Sequence, residues 1–133
     1  MFVDASAIVA ILTGEAEADA LTDRLDGRPG CITSPIAVFE ATLAICRKRQ
    51  SSVAEASGDV GEFLDVTGTS LVAVAAADGD TALAAFARYG KGRGHPAQLN
   101  LGDCFAYAMA KNHGLPLLFK GDDFDQTDIA DGR

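Results

Sequence analysis

Apolar runs and helical patterns alternate along the chain, beginning with a short apolar run over residues 1–3 that ends at Asp4 and reads as a buried strand. Helical spacing follows over residues 6–12 until Gly14. It resumes over residues 15–25, with Leu21 and Leu25 on one face and acids on the other. Gly27, Pro29 and Gly30 break the chain before a short extended piece at residues 31–33. Ser34 and Pro35 then make a strong helix start, because serine caps the free amides and proline at the first position has no N–H to satisfy. This helix is expected to reach about Arg49, with Arg47, Lys48 and Arg49 as a solvated basic end that the helix dipole favours. Further along, the pattern predicts a helix over residues 52–64, weakened by Gly58 and Gly61, a buried strand over 71–74, and a helix over 81–89. Residues 90–97 read as a glycine-rich loop. Asn100 caps a helix that runs to about Asn112 and is closed by Gly114, and residues 115–119 form the last strand. Strands alternating with helices predict an α/β fold: a central, mainly parallel sheet covered by helices on both faces.

At 133 residues the chain is long enough for one domain, residues 1–133, and 48% hydrophobic with 23% charged residues excludes a disordered or collagen-like polymer. The net charge of −8 argues against nucleic-acid binding through a global positive field, so any such substrate requires a recruited cation. The first basic residue is Arg24 and the longest purely apolar run covers residues 71–77, so neither a signal peptide nor a membrane span is expected. The protein reads as cytoplasmic. Cys31, Cys46 and Cys104 are widely spaced with no Cys-x-x-Cys pair, and are expected to be small buried thiols.

Several acids sit where solubility does not explain them. Glu40 has Ile36, Leu43 and Ala44 as helical same-face neighbours, so its carboxylate leaves an apolar face and needs a cation or strong donors. Asp4 ends one strand, and Asp122 and Asp123 follow another. Ligands of open parallel sheets bind outside the carboxyl ends of the strands. Asp4 taken alone serves equally as a helix cap, and Asp103, three residues after Asn100, suits a capping box. If the four positions converge, two carboxylates ~5 Å apart repel by about 3 kcal/mol at an effective dielectric near 20. Such a cluster requires compensation by hard divalent cations. With only two histidines, magnesium is the natural choice and manganese its substitute. The chemistry that follows is metal-assisted attack of water on a phosphodiester.

Four segments, Met1-Phe-Val-Asp-Ala-Ser-Ala7, Glu40 in mid-helix, Asn100-Leu-Gly-Asp-Cys-Phe-Ala-Tyr-Ala108 and Leu118-Phe-Lys-Gly-Asp-Asp-Phe124, occur in an order that resembles a PIN-domain ribonuclease. With the Thr127-Asp128-Ile129 tail, the whole chain resembles the VapC toxins of type II toxin–antitoxin pairs. The resemblance implies a PIN-like α/β/α sandwich and a magnesium-binding acidic quartet. It also implies endonucleolytic RNA cleavage leaving a 5′-phosphate and a 3′-hydroxyl. Asp4, Glu40 and Asp103 match the first three acids; Asp122 and Asp123 compete for the fourth place, with a lean to Asp123. Ser6 matches a hydroxyl that bonds the acids. A VapB-type antitoxin partner and a toxin homodimer are implied as well.

Lys91 and Arg93, in a loop that also carries His95 and has no acid, are candidate RNA-backbone contacts. Two other functions fit acids at strand ends. One is an aspartyl-phosphate phosphatase or phosphoacceptor, which wants a second Asp where Ser6 stands or a phosphoacceptor loosely placed at Asp78. The other is a catalytically silent PIN-fold module that only binds RNA.

Overall fold

The structure is a computed structural model and is described over residues 1–129. Four short strands, β1 (Phe2–Val3), β2 (Ile32–Thr33), β3 (Ser70–Leu71) and β4 (Leu117–Leu118), form one parallel sheet in the order β3-β2-β1-β4. Six helices surround it: α1 (Ala5–Leu12), α2 (Ala18–Leu25), α3 (Pro35–Arg49), α4 (Val53–Thr67), α5 (Ala76–Tyr89) and α6 (Leu101–Asn112). The arrangement is an α/β/α sandwich. The strands β1 and β4 have no exposed residue, since Phe2, Val3, Leu117 and Leu118 are all fully buried, as a sheet covered on both faces demands. Thr33 on β2 is also fully buried, and its hydroxyl donates to Val3 O at 2.7 Å, so its burial leaves nothing unpaired.

Local chemistry starts four of the six helices, α1, α3, α4 and α6, with a side-chain cap. The side chains of Asp4, Ser34, Ser52 and Asn100 accept from the amides of Ser6, Ala37, Glu55 and Asp103. Three elements depart from the sequence expectation. The third strand is shifted and is exposed rather than buried: Ser70 and Leu71 pair with Ile32 and Thr33, Val72 N–H still donates to Thr33 O at 2.9 Å, and residues 73–75 lie outside the strand. Helix α5 begins five residues earlier than its apolar spacing suggests. The carboxylate of Asp78, itself buried, accepts from Ala75 N–H at 2.8 Å and from the Asn112 side chain at 2.9 Å, which starts the helix and ties it to α6. Asp78 is thereby used in helix packing, and a phosphoacceptor arrangement around it is not formed. Helix α2 starts at Ala18, leaving Glu15 in the turn between α1 and α2. Cys31 and Cys104 are buried, and Cys46 is half-buried with its thiol donating to Ser51 O. Among the described residues no helix is long and apolar enough to cross a membrane.

Candidate active site

The carboxyl ends of β1 and β4 open into a cleft of about 570 Å³ whose lining includes Asp4, Ser6, Glu40, Asp103 and Lys120. Each acid reaches it for a local reason. Asp4 follows β1 directly and caps α1, so it is held at the carboxyl end of the sheet and is only 3% exposed. Its Oδ2 accepts from Ser6 N–H at 3.0 Å and from the Ser6 hydroxyl at 2.5 Å. The same hydroxyl accepts from Lys120 N–H at 3.0 Å, so Ser6 links the acid after β1 to the backbone after β4. Asp103 stands in the first turn of α6 and closes a reciprocal capping box with Asn100, through bonds of 2.9 and 3.0 Å.

Glu40 comes from the middle of α3, and what admits its carboxylate is Gly102. A Cβ built at Gly102 collides with the carboxylate carbon and both oxygens of Glu40. Gly102 sits in α6 with ordinary helical backbone, so the glycine serves close approach rather than an unusual φ. The sequence shows this glycine only as the residue before Asp103; its function depends on where a second helix passes.

The electrostatics of the three acids are those of a site that lacks counter-charge. Burial holds the Asp4 carboxyl above its ordinary value despite the opposing bonds from Ser6. Burial, and then the charges of Asp4 and Asp103, push Glu40 up to about 7. Asp103 is raised to about 6, chiefly by burial, with the charges of Asp4 and Asp123 adding to it and the Asn100 amide opposing. Among the described residues none of the three acids has a cationic partner, so the Arg pairing that would make Glu40 merely structural is not made. Asp123 acts on Asp103 through its charge, whereas Asp122 has no such influence; both are exposed and outside the cleft lining. Gly121, at φ +107°, turns the chain between Lys120 and this pair.

No three His, Cys, Asp or Glu side chains among the described residues are gathered tightly enough to enclose a metal ion. The donor set nevertheless fits a hard divalent cation: carboxylate oxygens alone, one acid wholly buried, and mutual repulsion that only added positive charge relieves.

The candidate RNA-backbone contacts Lys91 and Arg93 stand apart from the cleft, which has cations of its own. Lys91 and Arg93 are exposed in the loop after α5, which is closed by Lys91 N–H to Leu99 O at 2.9 Å, and neither lines the cleft. Arg47 and Lys48 do line it, because positions 40, 44, 47 and 48 share one stripe of α3. Arg49 points elsewhere, to Leu12 O and to Asp59 at 3.2 Å, and pins α3 to α1 and α4. The basic run is thus divided between two faces. Helical spacing counted from Glu40 is the signal that separates them.

The PIN-domain family model matches residues 1–130. A VapC ribonuclease of Rhizobium meliloti is 46% identical, with 96% of this chain and 98% of that protein aligned. Ribonuclease VapC42 of Mycobacterium tuberculosis is 45% identical over 97% and 96% of the two chains, and Ribonuclease VapC of Mycolicibacterium smegmatis is 44% identical over 98% of each. Among solved structures, the Mycobacterium tuberculosis toxin VapC20, described as cleaving the sarcin-ricin loop, superposes with a TM-score of 0.72 at 18% identity. That alignment covers 93% of this chain and 92% of VapC20. A match along nearly the whole chain, joined to a cleft at the carboxyl end of the sheet that gathers the three acids, places this chain in the PIN-domain family and, within it, in the VapC group.

Proposed function

We propose that this chain is a divalent-metal-dependent endoribonuclease, the toxin of a type II toxin–antitoxin pair, built as a single PIN domain. The observation that carries the reading is the convergence of Asp4, Glu40 and Asp103 on one cleft without a cationic partner among the described residues. The relatives' names supply the substrate class. Asp4, Glu40 and Asp103 would hold the ion, magnesium by preference and manganese as substitute, and Asp123 is favoured over Asp122 as fourth acid because its charge reaches Asp103. When bound, a divalent ion supplies neutralisation of the phosphate and acidification of the attacking water.

The protein's own residues position and orient. Ser6 fixes one Asp4 oxygen, and the Asn100 capping box fixes the rotamer of Asp103. Gly102 lets Glu40 come close to α6 beside Asp103. An acidic active site of this kind is a natural target for a protein partner that blocks it, and a VapB-type antitoxin fills that role in our reading. A homodimer and a cytoplasmic location complete it.

The test is incubation of purified, antitoxin-free protein with total bacterial RNA in magnesium, beside EDTA and Asp103→Asn controls. Discrete fragments with 5′-phosphate ends that vanish in both controls are expected. Cleavage that persists in Asp103→Asn would overturn the assignment.

A further inference from the structure

The cleft that holds the three acids is also lined by Arg47, Lys48 and Lys120, and by one further acid, Glu15, which is engaged with two of these cations. Glu15 Oε1 lies 3.2 Å from Lys48 Nζ, at the end of α3, and 2.8 Å from Lys120 Nζ, just after β4. Glu17 approaches Lys120 at 3.5 Å. Arg47 has no ion-pair partner among the described residues. Lysines from two distant parts of the chain are thus gathered on one carboxylate oxygen, inside the cleft that would receive the substrate.

From this arrangement we infer that Arg47, Lys48 and Lys120 form a binding site for RNA phosphates flanking the scissile one. In the free protein Glu15 occupies this site as an internal stand-in anion, which the RNA backbone must displace. The inference rests on the ribonuclease reading and adds to it a specific substrate-binding surface. Arg47 and Lys48 stand seven and eight residues after Glu40 on the same stripe of α3, about 10–12 Å along the axis. That distance sets them against a neighbouring phosphate rather than the one at the acids. A chain of net charge −8 needs such local cations if it is to hold a polyanion. The side chains of Lys48 and Lys120 are 47% and 36% exposed, so their pairs with Glu15 are of the weak surface kind and exchange readily. A carboxylate and a phosphodiester each present anionic oxygens to a lysine, so the exchange preserves the lysines' geometry.

The experiment measures binding of a short fluorescein-labelled single-stranded RNA across a salt series. It is done in magnesium, in an Asp103→Asn background that prevents turnover. Glu15→Gln is expected to tighten binding about two- to fivefold for each pair released and to steepen the salt dependence. Lys48→Ala with Lys120→Ala is expected to weaken binding by about tenfold and to flatten the salt slope by roughly 0.7 for each phosphate left without its lysine. Adding Glu15→Gln to that pair should then change nothing. Asp59→Asn removes one negative charge from the Arg49 pair outside this cleft and should leave binding unchanged. The inference falls if Glu15→Gln leaves affinity and slope as they were, or if its gain persists without the two lysines or is matched by Asp59→Asn. RNA that binds with this pattern but is not cut by the wild-type protein would sink the ribonuclease reading and leave the lysine site standing. Cleavage by the wild type with a silent Glu15→Gln would do the reverse.

Discussion

Asp4 and Ser6 show how much a single turn can hold in place. One serine hydroxyl donates to the buried carboxylate and accepts from the amide of Lys120, so removing it leaves Asp4 Oδ2 with only its backbone bond from Ser6 N–H and leaves the Lys120 amide without its partner. Groups that orient metal ligands typically cost 10–100-fold in activity when removed, and Ser6→Ala is expected to lose about that much RNA cleavage with the fold intact. Gly102 makes a sharper case. Alanine is the better helix former by about 1 kcal/mol, and the group it meets is the end of a flexible side chain, so Gly102→Ala should leave the thermal midpoint nearly unchanged. Its cost falls on function, since the Glu40 carboxylate must leave its place beside α6. A loss of cleavage of roughly tenfold or more is expected, the low end of the range for displaced metal-site groups, and urea titrations of the same variant check that stability is retained.

At the scale of elements, the segment after β4 is held by a polar cluster that no local pattern announces. The Asp128 carboxylate accepts from Tyr107 Oη at 2.7 Å and Lys111 Nζ at 2.8 Å, with Tyr89 Oη at 3.4 Å. Both tyrosines are nearly buried, and burial together with the bond to Asp128 raises the Tyr107 hydroxyl above its ordinary value. This cluster anchors the turn at Phe124–Gln126, and so the segment that carries Asp122 and Asp123, to α5 and α6. Asp128→Ala leaves two buried hydroxyls short of an acceptor and is expected to destabilise by about 1–3 kcal/mol. Faster hydrogen exchange confined to the segment after β4 would locate the loss there, whereas uniformly faster exchange would contradict this anchoring role.

For the whole molecule, the acids of the cleft couple stability to pH and to divalent ions. Glu40 and Asp103 hold their protons up to about 7 and about 6, against ordinary values of 4.5 and 3.8. The folded chain therefore binds more protons than the unfolded chain between these values. Stability of the metal-free protein is greatest below about pH 4 as far as these two groups are concerned and declines as pH rises through 7. Glu40→Gln should flatten the upper part of this loss. Magnesium at 100-fold its dissociation constant adds about 2.7 kcal/mol to a protein that binds it only when folded. The rise in thermal midpoint should be larger at pH 7.5 than at pH 5, where protons compete for the same oxygens. An identical midpoint with and without magnesium at both pH values would rule out an ion at these acids.

The sequence by itself determined the order of strands and helices, the caps at Asp4, Ser34 and Asn100, and the identity of three acids that meet in a cleft at the carboxyl end of the sheet. These are local properties: periodicity is visible within a dozen residues, and a carboxylate on an apolar helical face is anomalous wherever the helix is placed. It also contained the start of α5, but the apolar spacing concealed it, because Asp78 caps that helix from a buried position supported by Asn112. Helical spacing counted from Glu40 separates Arg47 and Lys48 from Arg49, but tertiary structure decided that Lys120 joins the first two in one cleft. Arg47, Lys48 and Arg49 are consecutive, yet a helix turns each by about 100°, sending two toward Glu40's side and one toward α1 and α4. It decided equally that Glu15 meets Lys120, 105 residues away, and that Gly102 rather than any larger residue stands beside Glu40. Such pairings depend on how helices pass one another across the sheet, a distance no local pattern encodes.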